Sequence, residues 1–233
     1  MEFTFLMPCL NEEETIARCI DEARAAIERL GLDAEIVIAD NGSTDRSAEI
    51  ARANGAHVVS VKERGYGAAL IGGIEAARGR YIIMGDCDGS YDLAHPDRFV
   101  EALRGGAALV MGDRFAGGIE RGAMPWSHKL GVPFLSAVAR WRFHTDVRDF
   151  HCGLRGFERE RALQLGLSCT GMEFATEMIA KFARSGARIA QVPTPLRKDG
   201  RSGRSHLHTV RDGLRHLRLI LFDRYYDKRR KKQ

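Results

Sequence analysis

Short apolar runs alternate with amphipathic stretches through the first half of the chain. Phe3–Met7 (FTFLM) is an apolar run closed by Pro8, which predicts a buried strand. Ile16, Ile20, Ala23 and Ile27 then recur at helical spacing, with Asn11 expected as the cap, Glu12–Glu14 in the first turn and Gly31 as the stop. Glu35–Ala39 reads as a second strand, and Ser43 or Thr44 is expected to cap a second helix ending near Asn54-Gly55. Ala56–Val61, Arg80–Met84 and Ala107–Met111 read as three further strands, separated by helical stretches at Gly65–Ala77 and His95–Leu103. This βαβαβαβ order predicts an α/β fold with a mainly parallel sheet sandwiched by helices.

After Asp113 the pattern loses its regularity. Arg114–Met124 is a Gly-rich loop, and Pro125–Phe143 a helix with Trp126, Leu130, Phe134, Val138 and Trp141 on one side. Trp126, Phe134 and Trp141 are expected in the core, although Trp141-Arg142-Phe143 beside a basic helix also suits a membrane interface. Cys152–Phe157 reads as a strand, Met172–Arg184 as a helix and Ala187–Val192 as a strand. A last amphipathic helix, about His208 to Tyr225, carries Val210, Leu214, Leu217 and Leu221 on one face and arginines around the rest. The expected division is residues 1–205 as one domain (a half at 1–113 and a half at 114–205), with 206–233 as a basic helix and tail. No internal repeat or low-complexity linker interrupts it.

Composition narrows the class. With 233 residues, 44% hydrophobic and 29% charged, the chain is ordinary globular protein and not collagen-like, disordered or a disulfide scaffold. No apolar stretch is long enough to span a bilayer, and the N-terminus lacks a secretory leader pattern. Cys9, Cys19, Cys87, Cys152 and Cys169 are odd in number and form no C-x-x-C pair, so free thiols in a reducing compartment are expected. The formal charge of +5 is uneven: residues 197–233 hold 13 Lys/Arg against 4 Asp/Glu, while residues 1–196 are net acidic. Such a tail suits an anionic partner.

The chemistry concentrates where strands end. Gly85-Asp86-Cys87-Asp88-Gly89-Ser90 follows the fourth strand, so two carboxylates sit at the carboxyl edge of the sheet, where open α/β sheets bind ligands. Their oxygens suit a hard cation, Mg2+ or Mn2+, which ordinarily bridges to substrate phosphates. Pro8–Glu12, Asp40–Asp45 and Arg64-Gly65-Tyr66-Gly67 follow strands one to three and converge on the same edge. Asp40 is placed to accept from a base or ribose hydroxyl, whereas Asp45 also suits helix capping. Arg64–Gly67 is not a P-loop, and no G-x-G-x-x-G occurs. Cys87 reads as a small packed residue. His128, His144, His151, His206 and His208 form no metal pattern and read as structural or surface residues.

Pro8–Glu12, Asp40-Asn41-Gly42-Ser43-Thr44-Asp45 and Asp86-Cys87-Asp88 together resemble the family 2 glycosyltransferases of the GT-A fold, and within them the dolichol- or polyprenyl-phosphate sugar synthases. Arg114-Phe115, Asp149–Phe157, Gly171–Met178 and Asp199–Ser202 extend the resemblance over nearly the whole chain. It implies an inverting, metal-dependent transfer of a sugar from a UDP- or GDP-linked donor. Asp86 and Asp88 would hold the metal, although Asp86 could instead serve the ribose. Asp88, Asp149 and Arg201 would be catalytic, with Arg204 a further donor. Pro8, Leu10, Asn11, Glu12, Asp40, Gly42, Gly65, Asp86, Cys87 and Asp88 would bind the nucleotide sugar, and Arg114, Lys129 and Arg155 an acceptor phosphate. For Arg155 a structural ion pair with Asp149 is an equal alternative. A phosphate acceptor needs no base, whereas a hydroxyl acceptor would call on Asp149 or Glu177; Glu173 reads as a surface acid.

Two positions depart from the family pattern. Asn41 replaces the second acid of an Asp-Asp pair, and Lys129 stands where an arginine is common, keeping charge but not bidentate geometry. The resemblance also implies a cytoplasmic protein, peripheral at the inner face of the cell membrane. Its basic helix and the Lys/Arg cluster at 228–232 would meet anionic lipid. The alternatives are a family 2 enzyme with a soluble hydroxyl acceptor, a nucleotidyltransferase, whose basic Gly-rich signature is missing, and a nucleic-acid-binding module. No RNA or DNA motif accompanies the basic tail, so no nucleic-acid partner is expected.

Overall fold

The computed structural model describes residues 1–201 and 209–222. Seven strands, β1 (Phe3–Cys9), β2 (Ala34–Asp40), β3 (His57–Ser60), β4 (Tyr81–Met84), β5 (Leu109–Asp113), β6 (Arg155–Glu158) and β7 (Ile189–Pro193), form one sheet in the order β3-β2-β1-β4-β6-β5-β7. Strand β1 is flanked by parallel partners on both sides, β2 through Phe3↔Ala34 and β4 through Phe3↔Tyr81. The chain therefore winds outward in both directions from β1, and the crevice between the β1 and β4 loops lies at the carboxyl edge, the topological switch point of such sheets.

Alternation along the strands builds the two cores. Phe3, Phe5, Met7 and Cys9 of β1, Ile38 of β2, and Tyr81 and Ile83 of β4 face α1 (Ile16–Leu30), α2 (Ser47–Ala53) and, farther along, α4 (Asp97–Arg104). Their neighbours Leu6, Val37, Ala39, Ile82 and Met84 face α3 (Tyr66–Ala76) and α8 (Phe174–Arg184). With period-two side chains and helices on both faces, both sides of the sheet are dry.

Strand β6 departs from the parallel pattern. It runs antiparallel between β4 and β5, with Arg155 opposite both Met84 and Met111. Its first residue thus lies at the edge where the parallel strands end. The segment before it, Asp149–Leu154, enters that edge between the β4 loop and α5 (Arg114–Gly117).

Several local expectations are corrected. Helix α1 begins at Ile16, not at Asn11: Asn11 adopts φ 57° and its carbonyl Oδ1 accepts from Thr44 N at 2.8 Å, so it joins two loops instead of capping. The acids expected in the first turn go elsewhere, Glu13 to the backbone N–H of Arg46 and Glu12 to Arg201. Helix α2 begins at Ser47, and its first turn is held by Asp45, whose Oδ1 accepts from Ser47 N at 2.9 Å, rather than by Ser43 or Thr44. The loop expected at Arg114–Met124 contains the short helix α5.

The largest correction concerns α6 (Trp126–Phe143) and α9 (Thr209–Phe222). Trp126, Phe134 and Trp141, expected in the core, are 76%, 65% and 75% exposed, and Leu130 on the same side is 66% exposed. The helix buries Ser136, Ala139 and Phe143 instead, a narrower stripe that lets it pack closely. Leu214 and Leu221 on α9 likewise point outward, with Phe222 beside them, while His216 and Ile220 point in. Among the described residues, no helix is long and apolar enough to cross a membrane. Arg204, His206, His208 and the cluster at 228–232 lie outside the described residues.

Glu35, buried in β2, joins β1 to the turn before β4. It accepts from Thr4 Oγ1 at 2.9 Å, Arg78 N at 2.6 Å and Arg78 Nε at 2.8 Å. Burial alone would raise its pKa, but these donors hold its carboxyl below the usual range. A depressed folded-state pKa stabilises the fold above the unfolded value and loses that contribution as pH falls through the folded one. Glu35→Gln is therefore expected to cost about 1–3 kcal/mol at neutral pH. The difference from wild type should shrink below about pH 4, as read by urea unfolding at both conditions; a pH-independent difference would contradict the carboxylate role.

Candidate functional site

Three carboxyl groups meet at the β1–β4 crevice. Glu12 follows β1, and Asp86 and Asp88 follow β4. Asp88 Oδ1 accepts from Ser90 N at 2.9 Å, and its Oδ2 from Arg201 Nη2 at 2.8 Å. The other arm of Arg201, Nη1, reaches Glu12 Oε1 at 2.9 Å. Asp86 Oδ1 accepts from the Tyr66 hydroxyl at 2.9 Å, and its Oδ2 lies so near Gly153 that a Cβ there would be 2.3 Å away.

The frame around them is tight. Thr15 Oγ1 donates to Cys87 O at 2.7 Å, and Cys87 Sγ to Pro8 O at 2.9 Å, which fixes the buried Cys87 between the two aspartates. Gly200 N donates to Asp88 O and Arg197 N to Ser90 O, so the segment after β7 is laid over the acidic loop. One guanidinium bonds two of the three acids, and Asp86 has a hydroxyl in place of a cation. Three acids thus share one hydrogen-bonded guanidinium, with Arg18 beside Gly89 and Arg155 acting on Asp86 through charge alone. Burial pushes Glu12 up to about 7, with Asp88 and Asp86 opposing the relief given by Arg201. Burial, then Asp88, pushes Asp86 up to about 6.

That donor set fits a hard divalent cation. Two carboxylates offer oxygen ligands, and the surrounding charge favours a second positive group. Among the described residues no cluster of three or more His, Cys, Asp or Glu is arranged to hold a metal.

The β2 loop forms the neighbouring wall. The Asp40 carboxylate closes its own turn, accepting from Gly42 N at 3.3 Å and Ser43 N at 3.2 Å, with Gly42 at φ 85°. Asn41 ties this loop to the next: its Nδ2 donates to Val61 O and Glu63 O, and its Oδ1 accepts from Gly65 N at 2.8 Å. An aspartate could not make the two donations. Gly65 is at φ 130°, and a Cβ there would lie 2.2 Å from Thr170 O, so its glycine serves backbone packing. Pro8, Leu10 and Gly42 remain partly open along the wall, while Asn11 is exposed at its rim.

On the other side, Asp149 is fully buried and clamps Arg114, whose Nε and Nη2 reach its two oxygens at 2.6 and 2.8 Å. Arg155 is interior too, but it does not pair with Asp149. Its Nε, Nη1 and Nη2 donate to the carbonyls of Cys152, Ala175 and Phe150. Lys129 is exposed on α6. Glu177 is consumed by Ser168 N, Cys169 N and Lys181, and Glu173 by Arg215 of α9. Sequence reasoning placed Tyr66 in the Arg64–Gly67 segment without a role, and the structure shows it holding Asp86; it passed over His216, which α9 turns inward and which no motif marks.

The model of the Glycosyl transferase family 2 matches residues 4–163, which span every strand from β1 to β6 and the crevice carboxylates. The chain belongs to glycosyl transferase family 2. This family 2 chain is 40% identical over 219 residues to the low-salt glycan biosynthesis hexosyltransferase Agl6 of Haloferax volcanii, covering 93% of itself and 52% of Agl6. It therefore spans about half the length of that relative. It is 30% identical over 218 residues to a dolichyl-phosphate hexose transferase of the same organism, covering 91% of each chain. Glucosyl-3-phosphoglycerate synthase from Mycobacterium tuberculosis, solved with Mn2+ and UDP-glucose, superimposes with a TM-score of 0.72 at 27% identity, over 96% of this chain and 78% of that one. The same enzyme was solved with Mn2+, UDP and phosphoglyceric acid. The seven-stranded sheet is thus the GT-A-like α/β fold of this family 2 chain.

Gly153→Ala is expected to push Asp86 off Tyr66 and to cost about 1–3 kcal/mol through overpacking. Chemical denaturation reads the cost, and Tyr66→Phe, which removes the hydrogen bond alone, should cost less. Equal stability of Gly153→Ala and wild type would show that the contact relaxes without consequence.

Proposed function

We propose that the chain transfers a sugar, with inversion, from a UDP- or GDP-linked donor to a polyprenyl (dolichyl-type) phosphate at the cytoplasmic face of a membrane, with Mg2+ or Mn2+. The carrying observation is the meeting of Glu12, Asp86 and Asp88 at the β1–β4 crevice, where Arg201 bonds Glu12 and Asp88 and Asp86 has only the Tyr66 hydroxyl among the described hydrogen bonds. Asp86 and Asp88 would hold the divalent ion, which when bound supplies charge neutralisation for a departing diphosphate. Arg201 contributes directly. Its Nε is buried and has no partner among the described residues, leaving a donor for a phosphate oxygen. Pro8, Leu10, Asn11, Glu12, Asp40 and Gly42 form the nucleoside side, with Gly65 and Cys87 setting the backbone behind it.

On the acceptor side Asp149 acts by holding Arg114 extended, and Arg114 and Lys129 supply positive charge. A phosphate oxygen is already ionised near neutral pH, so the clamped Asp149 need not take a proton. The dolichyl-phosphate hexose transferase relative supports a lipid phosphate. The outward Trp126, Leu130, Phe134 and Trp141, in a chain whose residues 197–233 hold 13 Lys/Arg against 4 Asp/Glu, support a bilayer surface. A second reading, a soluble acceptor, is favoured by one observation: the solved neighbour carried phosphoglyceric acid.

Transfer from UDP- and GDP-sugars to detergent-dispersed polyprenyl phosphate and, in parallel, to phosphoglyceric acid separates the two readings. Asp88→Ala is expected to lower transfer roughly a thousandfold while keeping a cooperative thermal transition. Undiminished transfer by this variant, or by wild type in excess chelator, would remove the metal role. For the surface, Trp126→Glu combined with Trp141→Glu is expected to weaken binding to phosphatidylglycerol vesicles roughly tenfold or more. Co-sedimentation equal to wild type would exclude α6 from the membrane.

A further inference from the structure

The segment that carries Asp149 also carries His151, which the donor chemistry leaves unused. Both ring nitrogens of His151 are shielded from solvent, and neither has a hydrogen-bond partner among the described residues. A neutral imidazole has one donor and one acceptor nitrogen, and burying both unpaired is costly enough to require a cause. The ring is held by packing alone: it meets the His216 ring edge-on, with centroids 4.5 Å apart. His216, buried on α9, is fixed in turn by the Thr176 hydroxyl of α8, 2.8 Å from its Nδ1.

The surroundings say what kind of partner is missing. The groups whose charge acts on His151 are His216 from α9, Arg114 from α5, Arg155 from β6 and His128 from α6. All are cations or can become so. The carboxylate of its own segment, Asp149, is already spent on the Arg114 side chain and on the backbone N–H groups of Arg114 and His151. Arg155 is occupied by carbonyls. The region therefore sets two His151 nitrogens without a partner among the described residues beside the cation Arg114, the converse of the crevice around Asp86.

We propose that Arg114, His128 and His151 form a seat for the phosphate-type oxyanion of the acceptor, covered by His216 of α9. The inference rests on the reading of the chain as a transferase with a phosphate-bearing acceptor, and it moves recognition from Arg155 and Lys129 to His151. Without an anion, burial, then His216 and Arg114, hold His151 well below the usual imidazole range, so it is neutral. A phosphate dianion reverses the local potential and favours the imidazolium, which offers two N–H donors. Entry of the oxyanion is thus linked to uptake of one proton from solvent by His151. Because His216 covers the ring, entry also requires α9 to shift.

Calorimetric titration of the full chain without any sugar donor tests this. Inorganic phosphate and a short-chain isoprenyl phosphate are titrated in two buffers of different ionisation enthalpy near neutral pH. Wild type is expected to bind with proton uptake. His151→Phe, which keeps the packing on His216, is expected to bind roughly tenfold or more weakly, with no uptake. Tighter binding of the isoprenyl phosphate supports the seat with a lipid source, and equal binding supports it with a soluble one. Unchanged affinity and uptake in the variant, or no binding of either titrant to wild type, overturns it. If His151→Phe does not fold, histidine ring 15N resonances of wild type are followed during phosphate addition, and a spectrum that does not move overturns it equally. Since no donor is present, failed sugar transfer would leave this result unaffected.

Discussion

Three acids brought to one edge of a sheet with one guanidinium between them is an unfavourable arrangement for a protein on its own. Like charges at close range repel, and burial raises the cost of keeping them ionised. The arrangement persists because the fold over-determines it. Parallel β1 and β4 must end side by side, Thr15 and Cys87 fasten the acidic loop to the β1 loop, and the segment ending in Arg201 is tied across it by Gly200 and Arg197. A deficit of positive charge held in place by the backbone is what the proposed function requires, since Mg2+ is seldom caged by protein alone and takes its remaining oxygens from substrate.

The opposite deficit lies across the same edge. Arg114 is paired with the buried Asp149 and Arg155 with carbonyls, and the charges of Arg114, Arg155, His128 and His216 all act on His151. The two regions are separated by the Asp149–Leu154 segment, whose Gly153 touches Asp86 while His151 touches His216. Strand direction explains the proximity. Because β6 is antiparallel, its approach enters at the end where the parallel strands leave, so one short peptide serves both halves.

Much of this was legible in the sequence, for physical reasons. Strands β1, β2, β4 and β5 are dense apolar runs, and a run bounded by polar turns has few alternatives to a buried strand. The position of Asp86 and Asp88 follows directly from the end of β4. What could not be read is what depends on competition between partners. Asn11 has the right side chain for a helix cap, but Thr44 offers it a better-placed N–H across two loops. Arg155 sits beside Asp149 in sequence, yet carbonyls reach it first and Arg114 takes the acid. The aromatic face of α6 misleads because periodicity marks an apolar stripe without saying whether protein or something else covers it. His216 lies outside the apolar stripe of Val210, Leu214, Leu217 and Leu221 that marks this helix in the sequence.

The position of β6 has a consequence for how such a chain diversifies. Residues between β5 and β6 leave the sheet from one strand and return to its immediate neighbour. That excursion carries Arg114, α6 and Asp149 together, and its last residues return to the crevice, where Gly153 lies against Asp86. It behaves as a cassette. Exchange of the part before Asp149 alters α6 and its exposed aromatic face while Gly153 keeps its place against Asp86, which makes that part the natural place for grafting between cousins.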